Sequence, residues 1–160
     1  MSRRLFPYTT LFRSAPDLTK RPPRSPRCRL GGYVILARLI DKGRATIVGT
    51  NDEFTYDAPL DQHLKDFLGL DFAALREQLA AGKGDGEILE WINANSEHKR
   101  AAWEIDAWSN FMDRRGPSGD VETLQFFAEY VGKFSKDRED IKTWFDLVDL
   151  DDYVTFGGKA

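Results

Sequence analysis

Hydrophobic residues recur along most of the chain at the three- and four-residue spacing that is typical of α-helices. The clearest segment has apolar residues at i, i+4, i+7 and i+8, namely Leu60, Leu64, Phe67 and Leu68. Comparable patterns predict helices that begin near residues 34, 59, 72, 85, 101, 120 and 137. The chain is therefore expected to be mainly α-helical, a bundle-like fold of about six or seven helices.

Residues that favour helix ends separate these segments. Asp71 and Asp120 are suited to N-caps, because a short side-chain oxygen accepts the unpaired backbone N–H groups of a first turn. Gly43, Gly69 and Gly82 are suited to left-handed C-caps. The helix that starts near residue 34 is accordingly predicted to end at Gly43.

Two segments depart from the helical pattern. Residues 46–57 carry β-branched and aromatic residues around Asn51 and Asp52, which tolerate turn conformations. This pattern predicts a small β-hairpin. Residues 154–156 predict a short extended segment near the C-terminus.

The first 30 residues differ in composition from the rest. Residues 5–14 read LFPYTTLFRS and look like a translated sequencing adapter, so residues 1–14 are expected to be a non-native leader. Residues 15–160 are then expected to form a single domain. Within it, residues 15–30 predict an extended basic arm, of which residues 17–29 hold three prolines.

Overall composition excludes several classes of protein. The chain is 41% hydrophobic with a mean hydropathy of −0.49, and no apolar run approaches the length of a membrane span. Cys28 is the only cysteine, and His63 and His98 lie far apart. This leaves no disulfide and no Cys- or His-based metal motif. We expect a cytoplasmic protein with no membrane association, no metal and no cofactor.

Charge is distributed unevenly. The residues up to Arg44 carry a net charge of +9, whereas the remainder carries −12. The arm supplies five candidate anion-binding residues, Lys20, Arg21, Arg24, Arg27 and Arg29. Flexible cations of this kind neutralise nucleic-acid phosphates. The favoured alternative is that the arm lies across the acidic surface of its own chain.

Other candidate sites have simpler interpretations. An acidic cluster near the C-terminus offers oxygen ligands but lacks the spacing of an EF-hand: Asp146, Asp149, Asp151 and Asp152. A solvated face, or a set of partners for the arginines, is favoured. The glycines of residues 82–86 lack the GK[ST] of a phosphate loop. The four tryptophans share helical phasing with apolar neighbours and are expected in the core: Trp91, Trp103, Trp108 and Trp144.

Several stretches resemble a known family. They are DLTKRPPRSPR, LGGYVILARLIDKGRA, PLDQ, GEILEWI, WEIDAWS, RRGP and REDIKTWFDLVDLDDYVTFGGKA. Together they are similar to a bacterial family of uncharacterised proteins, DUF5069, over residues 17–160. The resemblance implies membership of that family and carries over no activity, cofactor or catalytic residue.

Three hypotheses about function follow. The first is a non-catalytic interaction or structural module that binds an unknown protein partner or itself. The second is an enzyme whose acid and base groups come from separate helices, with Asp106, Asp113, His63 and the terminal aspartates available. The third is the binding of nucleic acid or another polyanion through the arm.

Overall fold

The computed structural model describes Leu11 and residues 14–160. Within them the chain is mainly helical. The described helices are α1 (Leu36–Val48), α2 (Pro59–Leu68), α3 (Phe72–Ala80), α4 (Asp85–Asn95), α5 (Ala102–Arg114), α6 (Val121–Phe134) and α7 (Trp144–Thr155). Apart from Leu11 and Ser14, the expected leader lies outside the described residues.

Two helices begin at the N-caps that the sequence predicts, Asp71 and Asp120. The Asp71 carboxylate accepts the backbone N–H groups of Ala73 and Ala74 at the start of α3. The Asp120 carboxylate accepts that of Thr123 at the start of α6. These contacts satisfy donors that have no partner within the helix.

The predicted hairpin at residues 46–57 is wrong. Residues 46–48 form the last turn of α1, residues 50–57 form turns, and no strand occurs in the described part of the chain. The Thr46 hydroxyl donates to the Lys42 carbonyl at 2.7 Å, so this β-branched residue fits the helix. The helix ends at Gly49, which has the left-handed φ of 81° that was expected at Gly43.

The C-terminal segment also differs from its prediction. The last helix begins at Trp144 rather than near Asp137, and it includes Val154 and Thr155, which were expected to be extended. Thr143 is the N-cap: its hydroxyl accepts the Asp146 N–H at 3.0 Å, and the Asp146 carboxylate accepts the Thr143 N–H at 2.9 Å. This reciprocal pair fixes the start of α7.

α1 lies at the centre of the core. Its first turns are almost wholly buried and pack with apolar residues of α2, α3 and α4. On α5, Trp108 packs against this core and stacks on Phe67 with ring centroids 4.7 Å apart. Trp103 is 73% exposed, so its predicted place in the core is wrong. It projects from the face of α5 opposite to the buried Met112 and Ser109.

Candidate functional site

Residues 15–30 contain no helix or strand, and their arginines are bound to carboxylates of the same chain. Arg24 contacts Asp41 at 3.1 Å and Asp85 at 2.8 Å. Arg27 contacts three aspartates, Asp113 at 3.0 Å, Asp146 at 2.5 Å and Asp149 at 3.1 Å. The arm is thereby connected to α1, α4, α5 and α7.

The remaining arm cations are less engaged. Arg29 contacts Asp106 at 3.5 Å and donates to Asn110 at 2.8 Å. The Lys20 side chain is 82% exposed and lies 3.9 Å from Asp17, and Arg21 is exposed. Arg24, Arg27 and Arg29 thus each contact at least one carboxylate of the same chain.

These contacts alter the titration of the aspartates. Burial works to raise the pKa of Asp85, but hydrogen bonds and charge from Arg24 and Arg44 outweigh it and hold the pKa below its usual value. The pKa of Asp146 is lowered in the same way, against burial, by hydrogen bonds from backbone N–H groups and from Arg27. Both groups therefore stay ionised at a lower pH than an ordinary aspartate.

A cleft of roughly 580 Å³ opens between α1, α6, α7 and the turns before α2. It is lined by Arg38, Lys42, Glu53, Phe54, Thr55, Ala58, Pro59, Leu60, Tyr130, Val148, Asp151, Asp152 and Thr155. Its volume lies in the range of small-molecule sites. Two cations of α1 form its buried floor, because Arg38 is 6% and Lys42 is 4% exposed.

Each floor cation is paired with a buried carboxylate. Arg38 donates from both terminal nitrogens to Asp152 of α7, at 2.7 and 3.2 Å, and also to the Arg24 carbonyl at 3.3 Å. Such bidentate pairs are among the stronger charge-assisted contacts. This pair joins α1 to the C-terminal helix.

Lys42 donates to Asp61 at 2.6 Å. Pro59 starts α2, which places Asp61 at the third helical position, where Oδ2 also accepts the Ala58 N–H at 2.8 Å. The other oxygen, Oδ1, is buried and accepts no hydrogen bond in the described part of the chain. Burial lowers the pKa of the Lys42 ammonium, and the Asp61 charge opposes that shift.

The candidate acid and base groups of the enzyme hypothesis lie apart. Asp106 and Asp113 are bound by arginines of the arm. His63 lines a separate depression of roughly 280 Å³, where burial and then the Arg115 charge lower its pKa. Two of the terminal aspartates share the cleft, Asp151 and Asp152. Among the described residues, no group of three or more histidine, cysteine or acidic side chains is arranged to hold a metal ion.

Sequence reasoning missed the floor of the cleft. It treated the start of α1 as an apolar segment and gave no role to Arg38, Lys42 or Asp61. The signal was present, because two cations four residues apart interrupt a run of buried apolar residues and so share one helix face. Cations buried on a helix face need carboxylate partners, which must come from other elements of the fold.

α5 carries the second notable feature, an apolar face that stays exposed among the described residues. Trp103 is 73% and Phe111 is 63% exposed, and Ala107 between them is also exposed. Spaced at i, i+4 and i+8, the three lie in one stripe on the helix.

No described helix is long and apolar enough to span a bilayer.

The protein is mainly helical, its basic segment at residues 15–30 is bound to the helices by salt bridges, and a cleft lies over buried ion pairs. A family model described as a domain of unknown function matches residues 20–154, and the chain belongs to this family, DUF5069. Its matched region includes the Arg38–Asp152 and Lys42–Asp61 pairs. Comparison with curated proteins finds no match.

Proposed function

We propose that this protein is a cytosolic, non-catalytic interaction module that pairs with a second copy of itself through α5. The observation that carries this proposal is the exposed stripe of Trp103, Ala107 and Phe111. Exposed aromatic side chains arranged in one patch are typical of interaction surfaces, whereas single exposed apolar residues are ordinary.

A second copy is the favoured partner because the stripe is complementary to itself. A two-fold axis through Ala107 would set two α5 helices antiparallel, with Trp103 of each copy against Phe111 of the other. Ala107 lies at the centre, where a small residue allows close approach. Helical side chains lean toward the N-terminus, so Arg114 would lie beside Trp103 of the second copy.

The size of the patch predicts a weak dimer. Each aromatic side chain buries about 150–250 Å², so the four of a symmetric pair would supply roughly half of a standard interface of about 1,600 Å². We therefore expect reversible, concentration-dependent association.

Sedimentation velocity between 1 and 200 µM tests this proposal. The native chain is expected to shift toward a dimer as concentration rises. Ala107→Glu brings two like charges together at the axis and is expected to keep the chain monomeric, since Ala107 is exposed and glutamate favours helices. Phe126→Ser on α6, where the native ring is 55% exposed, is the control and should dimerise normally.

Cysteine cross-linking gives an independent readout. In a Cys28→Ser background, Ala107→Cys is expected to form a disulfide-linked dimer, whereas Ala128→Cys on the exposed part of α6 is not. A native chain that remains monomeric at 200 µM, or equal cross-linking at both positions, would contradict the proposal.

Polyanion binding through the arm is an alternative that now depends on its exposed cations. Arg24 and Arg27 are held by aspartates, which leaves mainly Lys20 and Arg21 for phosphates. If the arm binds nucleic acid, Lys20→Ala with Arg21→Ala should weaken binding at low salt and flatten its salt dependence. Unchanged affinity would count against this alternative.

The enzyme hypothesis is supported by Asp151 and Asp152 meeting in one cleft, and by Asp146 and Asp149 lining a second depression together. An activity that is found in an unbiased metabolite screen and is abolished by Asp151→Asn would favour it over a purely interacting protein.

A further inference from the structure

The cleft combines a buried floor that is electrically balanced with an acidic rim. On the floor, the cations Arg38 and Lys42 are matched by Asp152 and Asp61. Glu53 and Asp151 line the same cleft and are more exposed than the floor residues. The surplus negative charge therefore lies toward the opening, which favours a cationic ligand over an anionic one.

Lys42 adds a requirement for an acceptor. An ammonium group has three donors, and in the described part of the chain Nζ makes one hydrogen bond, to Asp61. The residue is 4% exposed and lines the cleft. Nζ therefore has donor capacity beyond its bond to Asp61, which an oxygen acceptor supplied from the cleft would use.

Arg38 is engaged more fully than Lys42, with three hydrogen bonds recorded for its five N–H donors. Its guanidinium is occupied by both oxygens of Asp152 and by the Arg24 carbonyl, and it lies 5.6 Å from the centroid of the Phe54 ring. A phosphate or a dicarboxylate would meet cations that are already paired with carboxylates, together with the acidic rim. The ligand should therefore carry a neutral oxygen at the floor.

The walls between floor and rim are partly apolar. Leu60 and Val148 line the cleft together with the rings of Phe54 and Tyr130. Such walls suit a small aliphatic group. The Tyr130 hydroxyl donates to Asp151 at 3.2 Å, which holds this rim carboxylate in place.

We propose that the cleft binds a small primary amine that carries a neutral carbonyl group, the chemistry of an amino-acid amide. The carbonyl oxygen accepts from Lys42, the ammonium group lies between Glu53 and Asp151, and an aliphatic side chain packs against Leu60 and Val148. This binding site is separate from the stripe on α5 and does not depend on self-association.

Four matched probes test the proposal by isothermal titration calorimetry with the full chain. Leucinamide carries both groups, isoamylamine has only the ammonium, isovaleramide has only the carbonyl, and leucine replaces the neutral amide by a carboxylate. Leucinamide is expected to bind about tenfold more tightly than each of the others, because each probe lacks or inverts one complementary interaction.

A variant of the rim assigns the ammonium end of the ligand. Glu53→Gln is expected to weaken leucinamide and isoamylamine about fivefold or more and to leave isovaleramide unchanged. Glu53 is exposed, so the fold is retained, and Glu122→Gln, exposed on α6 and outside the cleft lining, is the control with unchanged binding.

The result that would overturn the proposal is equally specific. Absence of leucinamide binding at 10 mM would do so. Equal affinity for leucinamide and isoamylamine would also overturn it, because Lys42 would then contribute nothing to binding. Equal affinity of leucinamide for the native chain and for Glu53→Gln would show that Glu53 does not bind the ammonium group. Tighter binding of leucine than of leucinamide would show that the cleft prefers a zwitterion to an amide, which also contradicts the proposal.

Discussion

Lys42 and Asp61 show how much depends on a single buried pair. Asp61 is fully buried and Lys42 nearly so, and their contact joins α1 to the first turn of α2. Taking two charges out of water is expensive, so such a pair contributes little net stability compared with apolar residues. Removing one member is different, because it leaves the other charge buried without a counterion.

Lys42→Met is therefore expected to lower the free energy of unfolding by about 3–5 kcal/mol. Urea denaturation followed by circular dichroism measures this loss. Adding Asp61→Asn should recover part of it, since the amide is neutral and its oxygen can still accept the Ala58 N–H.

Lys65→Met is the matched control. Lys65 pairs with Asp57 at 3.3 Å, and both side chains are more than a third exposed. Solvent screens this pair, so the expected loss is below about 1 kcal/mol. Equal losses for Lys42→Met and Lys65→Met would show that breaking the buried pair costs no more stability than breaking an exposed one.

Among the helices, α1 shows why local patterns locate elements better than their ends. The apolar run at residues 34–40 predicted its start, but the C-cap was predicted at Gly43 and lies at Gly49. The choice depends on packing, because a Cβ at Gly43 would lie 2.5 Å from Leu79 Cδ1 and 3.1 Å from a Tyr56 ring atom. Gly43 thus permits close packing inside the helix, which a local pattern does not reveal.

The same reason explains the failed hairpin. Thr46, Ile47 and Val48 have the composition of a strand, yet Ile47 packs against the core as part of α1. Burial of a helix face outweighed their modest β preference. By contrast, the ends at Asp71 and Asp120 were predictable, because capping needs only the side chain and its neighbouring backbone.

Gly43→Ala tests this interpretation of α1. The added methyl group is expected to destabilise the protein by about 1–3 kcal/mol through overpacking against Leu79. Gly132→Ala in α6, where a Cβ would meet nothing within 4 Å, should instead be neutral or stabilise by up to about 1 kcal/mol. Thermal unfolding of both variants measures the difference.

Leu79→Val provides a further check, because it removes the δ-carbon that the new methyl group would strike. If overpacking is the cause, Gly43→Ala with Leu79→Val should lose less stability than the sum of the single losses. Strict additivity would point to a backbone effect at residue 43.

In the whole molecule, basic and acidic residues that are far apart in the sequence lie close together in the fold. The segment up to Arg44 is strongly basic and the rest acidic, and Arg24, Arg27 and Arg29 bring the two together. The sequence predicted this attraction but not which aspartates serve each arginine, because Asp113 and Asp146 lie on helices that meet only after folding. The exposed stripe on α5 was missed for a related reason, since periodicity does not say which apolar face finds a partner.

The pairing of Arg27 should give the protein an acid-sensitive stability. The pKa of Asp146 is lowered in the folded chain, so the unfolded chain binds more protons as pH falls below about 5. The stability that this carboxylate contributes is present above its unfolded pKa and is lost toward pH 3. Arg27→Gln removes one cause of the lowered pKa and leaves Asp113, Asp146 and Asp149 to repel each other.

We expect Arg27→Gln to cost about 1–2 kcal/mol at pH 7, a moderate value because the side chain is 36% exposed. The difference from the native chain should narrow as the pH falls through the lowered pKa of Asp146, because protonation of this carboxylate removes its attraction to Arg27. Urea denaturation at pH 7, 5 and 3 measures it. Arg21→Gln, the same change at an exposed position of the same arm, should stay within about 0.5 kcal/mol at every pH. If the two variants behave alike, the arm is not held to the helices by Arg27.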